Sequence, residues 1–298
     1  MPRSRNAEPI DPGPVQIRPR QVQFDFSDIP LHWIPGHPVA SDLIGLLNIG
    51  VPAFERWTVE TFNEALPLVK DNKLAEDMRA FIGQESIHAA NHERALRDFM
   101  VANGMEPTAM VRQIDYLFSK VLAPSQSTNP KRRHNHLCDR LWLIAAMEHY
   151  TAVFGHFALN SAWDDYGAHS TLVDLYRWHG AEEVEHRTVS HDVATYFSDS
   201  YWDRLSGAIF AVIFLFGAFQ SGTWYLMKND PQVEMTWWQA QRARWLDAKH
   251  RLLPRYWEAF GKETLTYLRP GFSPDEVGSM AQAVAYLASS PAARAATQ

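Results

Sequence analysis

Four glutamates and three histidines in this chain have the types and spacing of a dinuclear metal site. They are Glu55, Glu85, His88, Glu148, His179, Glu183 and His186. Two Glu-x-x-His pairs occur, Glu85/His88 and Glu183/His186, and each is preceded by a single acid: Glu55 lies 30 residues before Glu85, and Glu148 lies 35 before Glu183. A carboxylate and an imidazole three residues apart on a helix face the same way and can share one ion.

The elements that must position these groups are helices. An α-helix repeats its inward face in steps of three and four. One stripe runs Glu55, Val59, Phe62, Leu66, Val69, and a second runs Leu74, Met78, Phe81, Glu85, His88, His92, Ala95, Phe99. A third runs Leu137, Leu141, Ile144, Glu148, Gly155, Leu159, and the fourth Leu172, Tyr176, His179, Glu183, His186, Ser190, Val193, Phe197. Each stripe is apolar apart from its candidate ligands and a few neutral polar residues. Glu60 and Glu64 fall off the first stripe, Glu182 sits about 100° from Glu183, and Glu185 points largely away.

A buried, unpaired carboxylate costs several kcal/mol or more, so four of them need a compensating charge. None of these stripes holds a lysine or arginine. Two divalent cations balance four carboxylates, with neutral histidines completing the coordination. His179, one turn before Glu183, joins the ligand set. His92 reads instead as a hydrogen-bonding or substrate-contacting neighbour, and His149, His156 and His191 fall beside the stripes. An oxygen- and imidazole-rich set without thiolate suits iron first, with manganese and zinc as alternatives.

Proline and glycine punctuation at 35–38, 48–52, 103–107, 123–130 and 269–274 divides the chain. The spacing predicts long helices over 53–69, 73–102, 132–163, 170–197, 202–228 and 236–267, a shorter one near 108–121, and another after Asp275. The expected fold is all-α: a ferritin-like four-helix bundle over about 50–200 with extra packing helices over about 201–298, in one domain from residue 36. Residues 1–35, rich in proline and charge, read as a flexible or surface-hugging arm.

With 298 residues and 46% apolar content the chain can bury a sizeable core, which excludes disorder as a whole. A net charge of −6 gives no global pull toward nucleic acid, and one cysteine, Cys138, suits a reducing cytoplasm. The "KRRHNH" run at 131–136 reads as a solvated helix start. Residues 207–227 carry no charge over 21 positions. That run reads as a helix buried in the bundle, with a membrane contact or a homodimer contact as alternatives.

At "GVPAFERW", "FIGQESIHAANH", "AAMEHYTA", "WHGAEEVEH" and "YLRPGFSPDE" the chain resembles a bacterial ferritin-like family known as predicted metal-dependent hydrolases, over about residues 17–280. Phe54 departs from that pattern, in which glycine is expected, so Glu55 is the acid the resemblance carries least. The His-x-x-x-Glu-x-x-His pattern is similar to that of di-iron p-aminobenzoate N-oxygenases, where an extra imidazole joins the ligands. Two chemistries follow. A di-iron pair bridged by glutamates would use O2 to oxidise a small organic substrate, an apolar one being favoured by the aromatic content. The family's name implies hydrolysis by metal-activated water, with Glu182 or His92 as general base. Ligand chemistry favours oxidation, and non-catalytic metal storage or redox sensing is the third class.

Overall fold

Helix α1 (Pro38–Ala65) begins at Pro38, whose ring presets a helical φ in the first turn. It runs through the "NIGVP" segment, so it starts 15 residues before the predicted boundary at 53. Pro52 has no N–H for the Asn48 carbonyl, which normally ends or kinks a helix. Here Asn48, Ile49, Val51 and Ala53 around it are all buried, and tertiary packing overrides the local break. The computed structural model describes residues 15–296; the arm's first fourteen residues lie outside them.

Helix α2 (Asn72–Ala95) is capped by Asp71, whose carboxylate accepts from the Lys73 and Leu74 amides, and it continues as a π-helical turn over Leu96–Val101. A short α3 (Thr108–Tyr116) leads to α4 (Pro130–Leu159), capped by Asn129 with Pro130 in its first turn. The basic run at its start is exposed at 131–135.

The predicted single helix over 170–197 is two: α5 (Ser170–Glu185) and α6 (Val189–Phe197). Arg187 Nη1 donates to the Val184 carbonyl at 2.6 Å, and Nε donates to that of Pro274 at 3.1 Å. These side-chain bonds satisfy carbonyls near the break. The predicted helix over 236–267 also divides. Helix α8 (Trp237–Lys249), opened by a Thr236/Gln239 capping box, stops before Arg251, whose φ of +60° is incompatible with a continuing helix. A π-helical turn over Trp257–Lys262 then leads to α9 (Glu263–Tyr267), and α10 (Met280–Ser289) and α11 (Pro291–Ala296) follow.

Helix α1 packs along α2, and α4 along α5 and α6; α2 meets α6 and α1 meets α4, which closes a four-membered bundle. No strand occurs among the described residues. The α4–α5 contact is close at Gly155 and Gly180. A Cβ on Gly155 would lie 2.3 Å from the Gly180 carbonyl oxygen. Only two glycines let these backbones meet, and the contact falls one residue from His179.

Residues 21–26 alternate exposed and buried, with Val22, Phe24 and Phe26 inward, so this part of the arm is an extended segment seated on the bundle. Arg94 Nη2, on α2, donates to the Phe24 carbonyl at 2.9 Å.

Helix α7 (Tyr201–Asn229) packs on α4 and α1 along one side. It is not buried all round, as its lack of charge suggested. Only 22% of its most apolar window is buried, and Trp202, Ile209, Phe210, Ile213 and Phe216 are exposed. By length and composition this helix could cross a membrane.

Candidate metal centre

The four inward stripes converge. Glu55 comes from α1, Glu85 and His88 from α2, Glu148 from α4, His179 and Glu183 from α5, and His186 from its C-terminal end. Two groups form, Glu55/His88/His179/Glu183 and Glu85/Glu148/Glu183/His186. Within each, one ligand atom per residue lies within 4.8 Å of all the others. Glu183 belongs to both. All seven sequence-selected residues are therefore in the cluster, Glu55 included, and none is more than 6% exposed.

The lone pairs point inward and find no donor. Both oxygens of Glu85, one each of Glu55 and Glu148, and Nδ1 of His88 are buried without a hydrogen bond. Such acceptors gathered at one place have the requirement a cation meets, and the donor set of carboxylate oxygen and imidazole nitrogen fits divalent metal.

Electrostatics point the same way. Burial and the neighbouring Glu85 carboxylate push Glu55 well above the usual carboxylate range, and burial with Glu183 does the same to Glu148. Burial opposes charge on His88 and His186 as well, but the surrounding glutamates outweigh it and hold both well above the ordinary histidine value. Without a metal the cluster retains protons.

Each histidine is held from behind, which selects its tautomer. His88 Nε2 donates to Glu182 Oε2 at 2.9 Å, leaving Nδ1 facing Glu183, Glu55 and Glu85 at 3.4, 3.6 and 3.6 Å. His186 Nδ1 donates to Gln84 Oε1 at 3.0 Å, and its Nε2 faces Glu183, Glu85 and Glu148 at 3.3–3.6 Å. His179 places Nε2 2.7 Å from Glu183 Oε1 and 3.4 Å from Glu55, while its Nδ1 donates to His92 Nε2. His92 Nδ1 in turn donates to Asn48 Oδ1 at 2.8 Å, and Asn48 donates to the Tyr176 hydroxyl at 2.8 Å.

A partly buried cluster of three charges backs this arrangement. Arg20, from the arm, donates to Glu182 at 2.7 Å and through two nitrogens to Glu185 at 2.8 Å, and Gln84 Nε2 also donates to Glu185 at 2.8 Å. Burial alone would raise Glu182, yet its bonds to His88 and Arg20 hold it below the usual range. Glu182 and Glu185 are therefore interior residues, contrary to the helical-wheel expectation for Glu185, because the arm closes over that side.

In this geometry Glu182 and His92, the residues suggested as general base, are fully engaged in hydrogen bonds. Both Glu182 oxygens are taken by Arg20, Trp178 and His88, and both His92 nitrogens by Asn48 and His179. Neither lines the small apolar chamber of about 60 Å³ onto which His179 and Glu183 open. That chamber is walled by Leu43, Leu47, Val51, Phe154 and Phe219 among others.

Sequence reasoning missed Arg20, Gln84 and Asn48. Asn48 carried a signal, since it sits two helical turns before Glu55 on one face. Arg20 carried none, being 162 residues from Glu182.

A family model described as predicted metal-dependent hydrolase matches residues 18–278. The chain belongs to this family. The matched region runs from just before Arg20 through every residue of the cluster to Gly278, so a metal-dependent enzyme with a divalent-metal site agrees with both family and geometry. No curated protein and no solved structure matches.

Proposed function

We propose that this family member holds two divalent ions, iron in the working enzyme, in a ferritin-like bundle and uses O2 to oxidise a small organic substrate. Glu55, His88 and His179 would hold one ion, Glu85, Glu148 and His186 the other, with Glu183 shared. The observation that carries the reading is this shared, thiolate-free carboxylate–imidazole cluster opening onto an apolar chamber. Bound iron would pass electrons from the substrate or an external reductant to O2 and supply the oxidising power that side chains lack.

The chain's own residues do the rest. Glu182, Gln84 and His92 fix the imidazoles through their outer nitrogens, so the inner nitrogens are aimed inward and are the ones that give up a proton when a metal binds. Arg20 offsets one of the two charges of Glu182 and Glu185, which reduces what they add to that of the four inner carboxylates. The apolar walls beside His179 and Glu183 limit water at the reacting position.

Hydrolysis is the second reading, favoured by the family's description. Protein purified without air and assayed for metal and O2 uptake separates the two. About two irons per chain and substrate-dependent O2 consumption support oxidation. Turnover of an ester or amide by the zinc-loaded protein, with no O2 consumed, overturns it. Metal retention with neither activity would instead support storage or sensing.

A further inference from the structure

The small chamber at His179 and Glu183 adjoins two further spaces. It shares Leu43, Phe154, Phe219 and Pro254 with an outer cavity of about 470 Å³ between α7, α8 and the turn at 253–260. A side chamber of about 110 Å³ shares Leu47, Val51, Thr151, Phe154 and Phe219 with it. Phe154 and Phe219, with ring centroids 5.2 Å apart, border all three spaces.

Charge around these spaces is one-sided. The outer cavity is lined by Arg244, Lys249 and Arg255 and by no acid, whereas the inner spaces are walled almost wholly by apolar side chains. Arg255 has a nearby carboxylate, Glu258, at 3.3 Å. Arg244 has none among the described residues. Its guanidinium lies 3.7 Å from the centroid of the Tyr256 ring and donates one hydrogen bond, to Gln220 Oε1 at 2.9 Å, out of five available N–H groups. Half burial without a counter-charge lowers it to about 10. A cation placed over an aromatic ring, with unused donors and no acidic partner, fits an incoming anion.

Resting on the oxidative or hydrolytic metal-centre reading for its inner end, we propose that the substrate is an amphipathic organic anion. Its carboxylate or phosphate head is held by Arg244 in the outer cavity, and its apolar body passes Phe154 and Phe219 so that its far end lies beside His179 and Glu183. The reacting carbon is then remote from the charged head. Arg244 acts as a specificity-determining residue and takes no part in the chemistry.

Binding to metal-free protein tests this independently of any reaction. Decanoate, decyl phosphate, decanol and decyltrimethylammonium are titrated by calorimetry or by quenching of tryptophan fluorescence. Decanoate or decyl phosphate, whichever head is preferred, should bind at least tenfold more tightly than decanol, with the cationic probe weakest. Arg244→Gln should erase that margin and Arg244→Lys restore part of it, which separates charge from lost packing against Tyr256. Leu47→Phe, at the inner end, should weaken the ten-carbon probe severalfold and leave hexanoate unchanged. Equal affinity for decanol and the anions overturns the proposal, as does wild-type preference in Arg244→Gln. An inner-end variant without effect on decanoate overturns the assigned direction. Failure of the metal centre would show as absent metal with these affinities intact.

Discussion

Replacing Gly155 with alanine should loosen the cluster from a distance. The added Cβ would sit 2.3 Å from the Gly180 carbonyl oxygen and 2.8 Å from its Cα. Carbon–oxygen contacts need about 3.3 Å, so α4 and α5 must part by about 1 Å there. The obstructing atoms are backbone, and no side chain can swing aside. Overpacking of this kind costs about 1–3 kcal/mol. Alanine in place of a helical glycine returns about 0.5–1 kcal/mol, leaving a net loss of about 0–2.5 kcal/mol. Glu148 rides on α4, and His179 and Glu183 on α5. Ligand distances tolerate only about 0.2 Å, so even part of the displacement should weaken metal binding tenfold or more. Urea unfolding and metal titration against a competing chelator measure the two effects. Gly217→Ala on α7, where the new Cβ meets nothing within 4 Å, is the control and should be neutral or stabilising. Wild-type metal affinity in Gly155→Ala would refute the argument that this glycine contact sets the ligand spacing.

Glu183 belongs to both ligand groups, so Glu183→Ala should lose both metals while Glu55→Ala retains one, and metal analysis of folded protein tells them apart. Metal affinity should fall as pH falls. Burial and neighbouring carboxylates raise Glu55 and Glu148, so the metal-free cluster holds protons that binding must release. Chelator competition at pH 6, 7 and 8, with proton release measured in weak buffer, checks that sign. Arg20→Ala should cost about 3–5 kcal/mol in urea unfolding, because Glu182 and Glu185 would be left buried without their cation. His92→Ala should reduce metal affinity about 10–100-fold with secondary structure unchanged by circular dichroism, since it frees Nδ1 of His179 to change tautomer.

The sequence by itself picked out the seven residues that the fold brings into one buried cluster. Helical geometry is local, and seven chemically distinctive residues on otherwise apolar stripes at 3.6-residue spacing can face only inward. The existence of most long helices followed from the same periodicity. Their ends did not. Pro52 is carried inside α1 because burial on both sides outweighs a missing hydrogen bond, and α5 parts from α6 where Arg187, between them, reaches the carbonyls of Val184 and Pro274. Only the tertiary structure decided what stands behind the ligands and how the centre is approached. Arg20 meets Glu182 and Glu185 across more than 160 residues, and the outer cavity exists because α7, α8 and the 253–260 turn come together. Such meetings depend on how the whole chain closes upon itself, which no periodicity within one helix encodes.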